Sequence, residues 1–168
     1  GQIIDRTSVE EITWPPNEEE ILYRLRALLE KGVRRIVISL QGGLENPQAE
    51  QAIRDVLESQ YPDHYLGTVP FLLGNEICKH PDDMTRTHIG LLNAYVHGPM
   101  AQAMFRAEDD LRDKNYGGAL LLGRINGGVA RVAKTKPVDT IESGPIFGIH
   151  AAAYLAKIYG LPKVVTLD

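Results

Sequence analysis

The sequence predicts an α/β protein with a sheet that is at least partly parallel. Three observations predict it: apolar residues recur at helical spacing in several long segments, short β-branched runs stand between those segments, and Gly or Pro punctuates most of the junctions.

The first helix is expected from about Asn17 to Lys31. Asn17 is a capping residue, Glu20 stands at capping-box distance, and Pro15-Pro16 cannot be helix interior. Ile21, Leu22, Leu25, Leu28 and Leu29 make one apolar face, and Gly32 ends it. Val33 to Leu40 then reads as a buried strand. Gln41 to Glu45 is a loop. Asn46-Pro47 opens a second helix, with Ala49, Ala52, Ile53, Val56 and Leu57 as its buried face. Tyr65 to Leu73 is a weaker strand, interrupted by Gly67 and Pro70.

A long helix is expected from Asp82 or Asp83 to about Lys114, with Leu91, Leu92, Tyr95, Val96, Met100, Met104 and Leu111 inward and a kink or break at Gly98-Pro99. Ala119 to Leu122 is a short strand, and Val129 to Ala133 a second. Gly144 to Tyr159 is a strong helix ending at Gly160, and Val164 to Leu167 the last strand. Strand character at Val9 to Trp14 is the one signal before residue 17.

Composition narrows the function. Hydrophobic residues make up 43% and charged residues 24% of 168 residues, as in globular domains and not in disordered chains. A net charge of -4 gives no footprint for nucleic acid or an anionic membrane. No run approaches the roughly 18 to 20 apolar residues of a membrane helix. Cys78 is the single cysteine, which excludes an internal disulfide and suits a reducing, cytoplasmic compartment. The chain lacks an initial methionine and closes on the apolar run Val164 to Asp168, so an internal segment of a longer polypeptide is expected.

Familiar catalytic signatures are missing: there is no Walker loop, no Gly-x-Gly-x-x-Gly after a strand, and no Gly-x-Ser-x-Gly elbow. The five histidines (His64, His80, His88, His97, His150) fall at no metal-binding spacing and read as surface or core residues. Cys78, beside Lys79 and His80, reads as a packed small residue. Asp82-Asp83 is explained by helix capping, and Asp109-Asp110 by a solvated face near Arg106 and Arg112.

Two segments remain open. Gly123-Arg124-Ile125-Asn126-Gly127-Gly128 is either an anion-facing loop or a tight turn, and both need the glycines. In Glu142-Ser143-Gly144-Pro145, Ser143 is a potential cap and Pro145 fits the first turn. The helix start there can attract phosphate or carboxylate, although capping alone explains Ser143.

Taken in order, several stretches resemble one family. Asn46-Pro47-x-x-Glu50 is similar to its Asn-Pro-x-His-Glu segment, with Ala49 where the family usually has histidine. Arg86-Thr87 with Leu92-Asn93-Ala94-Tyr95, then Asn126-Gly127-Gly128, then Ser143-Gly144-Pro145-x-x-Gly148 follow its remaining motifs. The family is the hydantoinase A/5-oxoprolinase group, which includes the ATP-binding subunits of acetone and acetophenone carboxylases. The likeness covers about residues 33–168, and Lys134-Thr135 leans toward the ketone-carboxylase branch.

The resemblance implies a fragment of an actin-like ATPase (ribonuclease H-like) fold, with a mixed or parallel sheet flanked by helices. Residues 1–143 would be the latter part of the first lobe, 144–160 the connecting helix, and 161–168 the first strand of the second lobe. It implies ATP and Mg²⁺ as cofactors of the parent enzyme, and activation of an amide or enol oxygen by phosphorylation. Asp168 looks like the aspartate opening the second phosphate hairpin, a catalytic and metal-positioning role. Gly127, Gly128, Ser143 and Gly144 would face the nucleotide, with Glu142 a weaker acidic candidate. The isolated chain, without either phosphate hairpin, is expected to bind no nucleotide tightly and to be inactive. Expected partners are the remainder of the parent chain, a second enzyme subunit and a small-molecule substrate. The residues alone leave two alternatives: a non-catalytic interaction module of a multisubunit enzyme, presenting Arg24, Arg26, Arg34 and Arg35, or a small flavodoxin-like nucleotide-binding domain.

Overall fold

In the computed structural model, which describes residues 17–167, helix α1 spans Glu18–Glu30. Asn17 caps it as expected, its side chain accepting the Glu19 amide at 3.0 Å. Glu20 does not close a capping box; it pairs with Arg24 one turn on, at 2.7 Å. The strand expected at Val9 to Trp14 and the aspartate at 168 lie outside the described residues. The chain divides into two units, with the boundary between Thr87 and His88.

The first unit is built on a β-α-β crossover. Strand β1 (Ile36–Ile38) pairs in parallel with β2 (Phe71–Leu73), Ile36 facing Phe71 and Ile38 facing Leu73. Helix α2 (Pro47–Gln60) connects them. Parallel strands require such a crossover, and it brings α2 against β2 and α1. The core is Leu25, Ile38, Ile53, Leu57 and Leu73, with Ile21, Leu22, Leu29 and Phe71 packed around it. Each fully buried aliphatic side chain contributes about 1.5–3 kcal/mol.

Both strands are shorter than the sequence indicates, three residues each. Pro70 precedes β2, and its carbonyl accepts the Ile36 amide at 3.1 Å, so the proline sits where no ladder donor is needed. Leu28, assigned to the inner face of α1, is 39% exposed. A four-residue helix, α3 (Gly74–Ile77), follows β2 directly and carried no sequence signal.

Helix α4 (Asp83–Asp113) is one continuous helix of 31 residues with Pro99 inside it, so Gly98-Pro99 does not divide it. Its inner face matches the expectation in part: Val96, Met100, Met104 and Leu111 are half-buried. Leu91, Leu92 and Tyr95 are exposed, whereas Arg86, Gly90 and Asn93 are buried. The apolar residues of α4 are spread around its circumference, so periodicity alone could not select the inner face.

In the second unit, β3 (Leu121–Gly123) and β4 (Val129–Arg131) form an antiparallel hairpin. Two 3-10 turns follow, at Val132–Lys134 and Pro137–Thr140. Helix α5 (Ser143–Tyr159) closes the unit. It ends at Gly160, which adopts φ 62°, and the Leu161 amide reaches back to the Ala156 carbonyl at 2.8 Å. Residues 164–167, expected as a strand, belong to neither sheet and are exposed. A strand is stabilised by a neighbour, and among the described residues none pairs with this segment.

Candidate functional site

The segment 124–128 is the turn of the β3–β4 hairpin. The Arg124 amide donates to the Gly128 carbonyl at 2.8 Å, and the Gly127 amide to the Arg124 carbonyl at 2.8 Å. The Gly128 amide donates to Asn126 Oδ1 at 3.0 Å. Gly127 sits at φ +77°, a left-handed conformation that glycine adopts freely.

Helix α5 lies against this hairpin through one face of its first two turns. A Cβ added at Gly123 would come within 2.8 Å of the Phe147 ring, and one at Gly127 within 2.5 Å of His150 Nε2. The glycines are therefore needed twice, for the turn and for the approach of a helix. Phe147 and His150 are three residues apart and share that face. His150 had no assigned role in the sequence. The signal was its position relative to Gly127, which only the fold supplies.

The start of α5 differs from the expected cap. Helical residues begin at Ser143, and the capping position belongs to Glu142, in the left-handed region at φ 59° without a side-chain cap bond. The first amides of the helix thus have no side-chain acceptor of the usual kind. An added Cβ at Gly144 meets nothing within 4 Å, so this corner is open. Gly127, Gly128, Ser143 and Gly144 accordingly lie on two segments held together through Phe147 and His150. Asp168 lies outside the described residues.

A second polar constellation occupies the carboxyl ends of β1 and β2, and it was only half legible. Glu50 is fully buried on α2, accepting the Leu40 amide on one oxygen and the Asn75 amide on the other, each at 3.0 Å. Gly43 packs against the same carboxyl group, and its carbonyl accepts from Asn75 Nδ2 at 3.2 Å. Arg86 is also fully buried. It donates to the carbonyls of His80 at 2.9 Å, Pro81 at 3.1 Å and Leu40 at 3.4 Å, and pairs with Asp83. Asp83 in turn accepts the Gly42 amide at 3.1 Å, and the Ser39 and Thr87 hydroxyls are 2.8 Å apart. These side chains satisfy the backbone of the 40–45 loop from within.

Electrostatics single out one carboxyl group. Asp82, at the start of α4, is held below the ordinary carboxylate range by hydrogen bonds from the Thr85 side chain and amide, the latter at 2.7 Å. That is capping, as the sequence indicated. Among the described residues no group of three or more His, Cys, Asp or Glu is placed to hold a metal ion. A hollow of about 310 Å³, lined by His97, Met100, Met104, Phe105, Leu122 and Pro137, is mainly apolar.

Residues 86–168 match the family model described as hydantoinase/oxoprolinase. Over 154 residues, 92% of the chain, the sequence is 32% identical to the acetophenone carboxylase gamma subunit of Aromatoleum aromaticum. The chain belongs to the hydantoinase/oxoprolinase family. It is also 25% identical over 156 residues to caprolactamase subunit alpha of Pseudomonas jessenii, and 23% identical over 154 residues to the acetone carboxylase beta subunit of Xanthobacter autotrophicus. The three alignments cover 21%, 22% and 21% of those relatives, so this member spans about a fifth of their length. A nucleotide-free acetone carboxylase structure superposes with a TM-score of 0.70 at 24% identity, over 86% of this chain and 20% of the other. At that identity the likeness speaks for the fold alone: this chain shares the mixed α/β fold of that part of acetone carboxylase. No helix among the described residues is long and apolar enough to cross a membrane.

Proposed function

We propose that this chain is the part of an ATP-dependent hydantoinase, oxoprolinase or ketone-carboxylase subunit that presents one wall of its nucleotide cleft. One observation carries the reading. Gly123 packs against Phe147 and Gly127 against His150, so the hairpin and its Gly127-Gly128 turn lie along the first two turns of α5, whose first amides have no side-chain cap. An uncapped helix start on the same helix that seats a glycine turn suits a phosphate chain: the amides supply partial positive charge, and the glycines allow close approach. Ser143 and Gly144 would contribute amides, while Gly127 and Gly128 would contribute surface, since their own amides already have acceptors in the turn.

In this reading Asp168 would hold Mg²⁺ directly or through water. When bound, ATP supplies the phosphoryl group that activates an amide or enol oxygen of the substrate. The residues of this chain contribute positioning and electrostatic stabilisation. Three relatives are enzyme subunits by name, which supports assembly with a second subunit.

The test uses the full-length enzyme and the 168-residue chain side by side. The full-length protein should hydrolyse ATP in the presence of substrate and Mg²⁺, and the short chain should not. Asp168→Ala lowers full-length turnover by about two to four orders of magnitude, the range for losing a metal-positioning group. Near-normal turnover in that variant removes the role given to Asp168. Hydrolysis above a blank by the short chain removes the reading of it as an incomplete site.

A further inference from the structure

We propose that Asn93 is a positioning residue for the 124–128 turn, acting through the 3-10 turn at Pro137–Thr140; the inference rests on the nucleotide-facing reading of that turn. Asn93 lies on α4 and is 4% exposed. Its Oδ1 accepts the Val138 amide at 3.3 Å. The next residue, Asp139, makes the contacts that matter. Its carbonyl accepts the Ile125 amide at 2.6 Å, and its carboxylate Oδ2 lies 3.9 Å from Arg124 Nη1. Arg124 and Ile125 are the first two residues of the turn that carries Gly127.

The 3-10 segment is therefore held on one side and holds on the other. Towards α4 it has two attachments. Besides Asn93–Val138, the Thr140 hydroxyl lies 3.7 Å from Met100 Sδ, two helical turns along from Asn93. Towards the hairpin it has the two Asp139 contacts. The Ile125 amide points away from its own hairpin ladder, so nothing within the β3–β4 register fixes it, and Asp139 does. Displacing 138–139 rotates the Arg124–Ile125 peptide. Gly127 then leaves its place under His150, where a Cβ would have only 2.5 Å.

A buried asparagine that merely satisfied one amide would have local effects. A positioning residue gives a split result. Three variants are compared in the full-length enzyme with ATP as the varied ligand: Asn93→Leu, which removes the acceptor at similar volume; Asn93→Asp, which keeps an acceptor oxygen; and Gly127→Ala, which alters the turn directly. Amide hydrogen exchange is followed in the same proteins. Asn93→Leu is expected to speed exchange of the Ile125 and Gly127 amides about tenfold, with the amides of α1 and α2 unchanged. It should raise the KM for ATP about tenfold while kcat stays within about twofold, and Asn93→Asp should recover most of both.

Unchanged exchange at Ile125 and Gly127 in Asn93→Leu overturns the proposal, as does uniform loosening of the whole 88–167 unit. If Asn93→Leu fails to fold, Asn93→Asp decides: it must match wild-type exchange at Ile125 and ATP KM, and a failure there overturns the proposal. A raised KM in Gly127→Ala with an unchanged KM in Asn93→Leu refutes the relay and leaves the nucleotide reading intact. An unchanged KM in Gly127→Ala refutes the nucleotide reading of the turn, and the exchange data alone then decide the relay.

Discussion

Glu50 shows a motif residue serving the fold. Its two oxygens accept amides from different segments, and the group is fully buried. Glu50→Leu leaves two buried donors without acceptors and should cost about 2–4 kcal/mol, measured by urea unfolding of the 168-residue chain. Glu50→Gln keeps one acceptor oxygen and should cost less than half as much. Arg86→Lys keeps a charge but cannot reach three carbonyls at once, and should cost about 2–3 kcal/mol in the same experiment. Asp82 belongs to a different class, being fully exposed. Its folded pKa lies below its unfolded value of 3.8, so its contribution is complete above that pH and is lost as pH falls through the folded value. Asp82→Asn should therefore flatten the acid limb of a stability profile by lowering stability slightly above about pH 4, with the two proteins converging at lower pH, as read by thermal melts across pH.

Among the elements, the two ends of α5 make opposite predictions. Gly160 adopts φ 62° in a Schellman-like end, so Gly160→Ala should cost about 1 kcal/mol. Glu142 adopts φ 59° without a cap bond, so Glu142→Gly should gain up to about 1 kcal/mol. Paired thermal melts followed by circular dichroism check the signs. Legibility also varied by element. The starts and stops of α1, α4 and α5 were readable to within a residue or two, because Asn17, the acidic pair at Asp82-Asp83 and Gly160 act through local backbone chemistry. The inner face of α4 was not, since Leu91 and Tyr95 look as inward as Met100 until the neighbours are known. Asn126-Gly127-Gly128 was visible as a turn, whereas His150 and Asp139 come to it only through tertiary contacts.

At the scale of the molecule, family and fold were legible because four short motifs recur in order. The substrate was not, because the residues that would recognise it are not identifiable in this chain. Apolar exposure is the feature with measurable effect here. Ile149, Tyr154, Leu155, Ile158 and Tyr159 on α5, with Leu161, Val165 and Leu167 after it, are all exposed. A monomer rarely exposes so many large apolar side chains on one segment. The 168-residue chain should bind a hydrophobic dye and associate in a concentration-dependent way by sedimentation, and Leu155→Glu with Ile158→Glu should reduce both. Dye binding unchanged in the double variant would place the sticky surface elsewhere.

The inward-facing Glu50 and Arg86 also bear on how damaging substitutions would appear in living cells. Because these side chains hold up the loop between β1 and α2 from inside, their loss should deplete the protein through misfolding and proteolysis before any chemistry could fail. Changes at Gly127 should instead leave abundant, soluble protein that is impaired in the proposed nucleotide binding. A genetic screen scored by protein abundance beside growth would sort the two groups, although both fall within motifs of the same family.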